Sequence, residues 1–117
     1  MNTNANTNAN TNTNANTDAV DFLKPSSTCY TIYSKSGCPN CQKVKDYLLN
    51  NKKQFVIINC DEYLVTNKPA FLDFILNLIS REWKTFPIVF DNNSQFIGGF
   101  IDTKEYLERS LEFTEDF

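Results

Sequence analysis

The chain has 117 residues, with 14 Asp and Glu against 11 Lys and Arg, a formal net charge of −3 and a pI near 4.8. That length suits one domain, and an acidic balance without a basic stripe argues against a nucleic-acid-binding surface. The absence of histidine removes the usual general base, the usual zinc partner and any Cys-His or Ser-His dyad, so chemistry falls to the four cysteines. A membrane is not expected as a partner either: the densest apolar stretch, residues 71–79, is interrupted by Asp73 and Asn77 and falls short of the roughly 18 to 20 residues of a span.

Residues 1–17 are almost only Asn, Thr and Ala, with no apolar side chain to bury beyond Met1. They read as a disordered low-complexity tail, leaving residues 18–117 as the folded domain. With neither a basic n-region nor an apolar h-region at the start, no secretory signal is expected, and a reducing, cytoplasmic setting follows in which cysteines need not pair.

Residues 18–24 predict a short first helix stopped by Pro25-Ser26-Ser27, and residues 28–33 alternate β-formers before a Ser34-Lys35-Ser36-Gly37 loop. From Pro39 to Asn50, Val44, Tyr47 and Leu48 form one apolar stripe, with Pro39 suited to a first turn. The run Phe55–Ile58 reads as a strand buried on both faces. Thr66 is a candidate cap for a helix with Pro69 in its first turn and apolar positions 71, 72, 74, 75, 78 and 79. Residues 86–90 and 95–97 predict an antiparallel hairpin about Asp91-Asn92-Asn93-Ser94. Asp102, with Glu105 three residues on, reads as the capped start of a closing helix whose inner stripe is Tyr106, Leu107 and Leu111. The order α-β-α-β-α-β-β-α, with right-handed crossovers and a terminal hairpin, predicts a three-layer α/β/α sandwich on a four-stranded mixed sheet.

The sharpest chemical signal is Cys38-Pro39-Asn40-Cys41, placed where a strand's C-terminal loop meets a helix N-terminus. Unpaired N–H groups and the helix dipole there favour a negative sulfur, and two thiols at this spacing can close a disulfide. Lowering a thiol from about 8.5 to about 6.5 turns a few per cent of reactive thiolate near pH 7 into a majority. The competing reading of a CxxC turn is half of a structural zinc site, but neither a second such pair nor a histidine is present to complete it. Cys29 and Cys60 read as buried, inert thiols. Lys35 adds a positive charge near Cys38 or is a solvated loop lysine.

Taken together, Thr31-Ile-Tyr-Ser-Lys35-Ser-Gly-Cys38-Pro-Asn-Cys41, Thr85-Phe86-Pro87 and Gly98-Gly99 with Asp102 resemble the glutaredoxins, over about residues 20 to 113. The resemblance implies a thioredoxin-like fold and a dithiol enzyme in which Cys38 attacks, Cys41 resolves, and glutathione is co-substrate rather than a tightly bound cofactor. It matches Pro87 to a cis-proline, leaving the backbone of Phe86 open to pair with the cysteinyl part of glutathione. Gly98 and Gly99 would admit the ligand, Asp102 would receive its γ-glutamyl amine, and Lys35, with Lys84 beside Thr85, would meet its glycyl carboxylate. The expected partners are glutathione and disulfide-bearing or glutathionylated proteins, the enzyme acting as a monomer. Two departures stand out: Asn40, where the dithiol members usually have an aromatic, and Ile101, where a small hydroxyl or acidic residue is common. A thioredoxin-type reductase and an iron-sulfur carrier are the rival readings; the lack of Trp before Cys38 weighs against the first and Pro39 against the second.

Overall fold

A computed structural model describes residues 22–115. Strand β1 (Tyr30–Ser34) leads through a short loop into helix α1 (Pro39–Asn50), strand β2 (Phe55–Asn59), helix α2 (Asp61–Ile79), strands β3 (Ile88–Phe90) and β4 (Phe96–Gly98), and helix α3 (Phe100–Glu115). The sheet order is β2-β1-β3-β4. Strands β1 and β2 run parallel with Ile32 opposite Ile57, β1 and β3 antiparallel with Tyr33 opposite Ile88, and β3 and β4 antiparallel with a register shift between Val89 and Phe90.

Strand alternation divides the core into two layers. Tyr30, Ile32 and Val89 pack with Val44 and Leu48 of α1 and Leu107 of α3, whereas Tyr33, Ile58, Ile88 and Phe90 pack with Phe71 and Ile75 of α2. Helices therefore cover both faces, which is the expected thioredoxin-like α/β/α sandwich. Burial of each large aliphatic side chain supplies about 1.5–3 kcal/mol before chain entropy is counted. Tyr33 is fully buried, and its hydroxyl donates to the Leu23 carbonyl at 2.6 Å, fastening the segment before β1. None of the described helices is long and apolar enough to cross a membrane.

Several sequence expectations are corrected. Residues 22–24 are not helical, and the rest of the expected first helix, like the Asn/Thr tail, lies outside the described residues. Strand β1 begins at Tyr30, so Cys29 precedes it and is half-buried rather than buried. Among the described residues strand β2 lies at the edge of the sheet, paired with β1 alone, and with Val56 42% and Ile57 46% exposed its apolar run is not enclosed on both faces. Helix α2 starts at Asp61, five residues before the expected cap, and kinks at Asn67 (φ −160°, ψ 70°). The kink has a cause: Pro69 can neither donate to nor fit beneath the preceding turn, so Asn67 recaps the helix by accepting from Ala70 N–H at 3.2 Å. Thr66 caps nothing, its hydroxyl donating back to Glu62 O at 2.8 Å. Residues 86 and 87 precede β3, and α3 begins at Phe100, two residues before the expected start.

Candidate active site

The C-terminal end of β1, the N-terminal end of β3 and the start of α1 converge on the cysteine pair. Gly37 turns the loop at φ +68°, a left-handed conformation that favours glycine. Cys38 is the N-cap of α1 and Pro39 its first residue, so the missing proline N–H costs no helical bond. The Cys38 Sγ accepts from the Cys41 N–H at 3.1 Å, and the Cys38 carbonyl accepts from Cys41 and Gln42 at 3.1 and 3.3 Å. A helix N-terminus thus points its donors at this sulfur, the arrangement that stabilises a thiolate. The two cysteines are joined as a disulfide with Cα atoms 5.3 Å apart. Cys38 is half-buried and Cys41 only 5% exposed, so an approaching sulfur meets Cys38 first.

A residue that the sequence reading passed over holds this loop. Asp61, the first residue of α2, accepts the Ser36 N–H at 2.9 Å and the Ser36 hydroxyl. These two bonds, the hydroxyl's first, hold the Asp61 carboxyl below its ordinary value, with Lys35 adding its charge. The loop is closed from behind by Cys60 N–H donating to Ser34 O at 2.8 Å. An acidic residue just past the C-terminal end of β2, beside the neighbouring β1 loop, was the available signal.

The remaining expected residues fall on two adjoining sides. The Tyr33–Ile88 pairing carries Lys35 toward the Phe86–Pro87 bond, which is cis, and puts its Nζ 5.8 Å from the Phe86 ring centroid. The Phe86 ring is stacked on Phe71 of α2, with centroids 6.2 Å apart and planes 10° apart. Phe86 is half-buried and Pro87 fully buried; Thr85 and Lys84 are exposed and reach the cluster only through the chain. Gly98 ends β4 at φ +136°, and a Cβ there would lie 2.7 Å from Asp102 Cβ. A Cβ on Gly99 would stand 3.8 Å from the Pro87 carbonyl, so these elements adjoin. Asp102 is not the N-cap: it lies in the first turn of α3, and its Oδ2 accepts from Gly99 N–H at 2.9 Å. It completes the reaching-back half of a capping box and puts a carboxylate at an exposed helix N-terminus. The two departures, Asn40 and Ile101, are both exposed.

An unequal pair of cysteines at a helix N-terminus, on a thioredoxin-like sheet and beside a cis-proline, defines a dithiol oxidoreductase of the thioredoxin-like class. The glutaredoxin family model matches residues 30–97, and the chain belongs to the glutaredoxin family. Among solved structures it is similar to glutaredoxin 1 from Francisella tularensis complexed with cacodylate (26% identity, TM-score 0.60, covering 71% of this chain and 95% of that one). It is also similar to wheat glutaredoxin (26%, 0.57, 71% and 74%), and in fold to the buckwheat glutaredoxin–glutathione complex (23%, 0.58, 72% and 72%). No curated protein sequence matches it.

Proposed function

We propose that this glutaredoxin uses glutathione as co-substrate to reduce glutathione mixed disulfides and protein disulfides, with Cys38 as nucleophile and Cys41 as resolving thiol. The observation that carries the reading is the unequal burial of the bonded pair: half-exposed Cys38 at the α1 cap, with Cys41 behind it. The Cys38 thiolate attacks the glutathione sulfur of a mixed disulfide, the new bond forming as the substrate thiolate leaves. A second glutathione thiolate then attacks the glutathionyl sulfur, releasing glutathione disulfide and Cys38. With a protein disulfide, Cys38 forms a mixed disulfide with the protein, Cys41 attacks the Cys38 sulfur to expel the protein thiolate, and two glutathiones reduce the Cys38–Cys41 bond. Either route delivers two electrons to the substrate: a protein disulfide consumes two free glutathiones, whereas a mixed disulfide consumes one, the other half of the glutathione disulfide coming from the substrate's own glutathionyl group.

The glutathione site assigned here runs from Lys35 across Phe86 and Pro87, with Thr85 at its margin, to Gly98, Gly99 and Asp102. The buckwheat relative is a glutathione complex, and the residues are chemically apt: a lysine for a carboxylate, open backbone beside Pro87, and a carboxylate for an ammonium. Residues 18–117 form the catalytic domain, behind a low-complexity tail at 1–17, in a monomer of a reducing, cytoplasmic compartment. The free thiols of Cys29 and Cys60 accord with that setting.

The test is glutathione-dependent reduction of a small mixed disulfide coupled to glutathione reductase. Cys38→Ser abolishes turnover of both substrate types, whereas Cys41→Ser retains reduction of the mixed disulfide. Turnover surviving in Cys38→Ser would refute the assignment.

A further inference from the structure

The cysteine loop has a second flank. Phe86 faces the α2 side of the sheet, where it stacks on Phe71, and the Lys35 Nζ reaches toward its ring. On the α1 side lies a cleft of about 250 Å³ between α1 and the edge strand β2, with Ile32 and Ile57 as floor, Gln42 and Lys45 on one wall, and both cysteines at one end. Lys35 closes the loop side, and none of the described residues lining the cleft is acidic. In a chain of net charge −3 the lining thus carries Lys35 and Lys45 and no carboxylate, with Asp61 bound to Ser36 at the loop. Sites for drug-sized ligands measure about 300–1,000 Å³, so this cleft takes one or two side chains rather than a whole tripeptide. The rest of an occupant must lie outside it, and the adjoining surface is the outer edge of β2, with its exposed Val56 and Ile57. That edge offers main-chain groups to an extended chain, and the apolar side chains offer alternate contacts.

We propose that the α1–β2 cleft and the outer edge of β2 form a docking surface for protein substrates, which lay an extended segment along β2 and place a carboxylate side chain beside Lys45. This rests on the thiol–disulfide reading above and deepens it by naming the chemistry of the protein partner. Small disulfides do not reach the surface and gain nothing from it.

The test measures binding apart from turnover. The oxidised full-length chain is titrated with a fluorescein-labelled peptide of alternating Val and Glu, and with its Val/Lys counterpart, followed by anisotropy at low salt. An exposed charge contact supports a preference of about fivefold for the Val/Glu peptide, shrinking as salt is raised. Lys45→Glu erases or reverses that preference, and Ile57→Ser weakens binding of both peptides, while both variants turn over a small glutathione mixed disulfide at the wild-type rate. Equal binding of the two peptides, or a preference that survives Lys45→Glu, would overturn the docking surface. Failure of the wild type to turn over the small disulfide would instead overturn the reading of the preceding section, so the two failures are told apart.

Discussion

The Asp61 carboxylate accepts both the backbone N–H and the hydroxyl of Ser36, two residues before Cys38. One side chain of α2 thereby sets the path of a loop that no strand pairing restrains. Because these bonds lower the Asp61 pKa, their stabilisation is present above the unfolded carboxyl value, about 4, and is lost as pH falls through the lower folded value. Asp61→Ala should melt below the wild type at pH 7, with the gap closing at acid pH. Misplacing the loop should also lower kcat/KM for a small mixed disulfide about three- to tenfold. Thermal unfolding from pH 7 to 2.5 together with steady-state kinetics checks both, and a gap that persists at the acid end would show that the tie is not ionic.

The glycine pair should separate folding from binding. A Cβ on Gly98 would collide with Asp102, and its φ of +136° is strained for any other residue, so Gly98→Ala should cost about 1–3 kcal/mol in urea unfolding. On Gly99 the Cβ meets only ordinary contacts with Pro87 O and Asp102, so Gly99→Ala should leave stability within about 0.5 kcal/mol. Because it adds a methyl group where the proposed glutathione site runs, it should raise the KM for glutathione about threefold or more. A Gly99→Ala variant with unchanged KM would move the ligand path away from this glycine.

Cys60 is fully buried behind the loop, and burial pushes its thiol up to about 12. Alkylation needs the thiolate and access. In the native, reduced chain at pH 8, iodoacetamide should therefore modify Cys38 and half-buried Cys29 while Cys60 reacts at least about a hundredfold more slowly, until denaturant opens the core. Peptide mass spectrometry reads the order. Labelling of Cys60 alongside Cys29 in the native chain would contradict it.

What the sequence disclosed and what it hid divide along physical lines. Helix α1 was legible end to end because Pro39, the Val44–Leu48 stripe and the CxxC turn all demand the same geometry. The approach of Lys35 to Phe86 follows from no local rule, since the β1–β3 register brings them together, and only the resemblance had put them side by side. The exposure of Val56 and Ile57 was hidden because an apolar run looks alike at the centre and the edge of a sheet. The first half of α2 was hidden because Pro69 breaks the periodicity, and the Asp61–Ser36 tie because its partners lie 25 residues apart. Asp102 was found as a helix-start residue, but its place in the first turn depends on Gly99 serving as the cap.

A second carboxylate, this one buried, governs the far end of the sheet. Asp91, 3% exposed at the end of β3, accepts the Asn93 and Gln95 N–H groups on Oδ1 at 2.8 and 2.9 Å and the Tyr106 hydroxyl on Oδ2 at 2.8 Å. It thus shapes the hairpin turn and ties it to α3. Asp91→Ala strands two amides and a phenol in part-buried positions and should cost about 2–4 kcal/mol, against about 1–2 kcal/mol for Tyr106→Phe, which leaves the turn bonds intact. Burial, then the bond to Asp91, pushes the Tyr106 hydroxyl up to about 12. With its pKa raised on folding, the phenol's contribution is complete below the unfolded value near 10 and is lost as pH rises through the folded one. The Tyr106→Phe deficit should accordingly be constant from pH 6 to 9 and shrink above pH 10, as read by urea unfolding. Turnover per folded molecule should be unchanged in both variants, because Asp91 touches none of the residues around Cys38. A deficit that grows above pH 10 would mean that Tyr106 is ionised more easily in the fold than out of it, and would sink the pairing with Asp91.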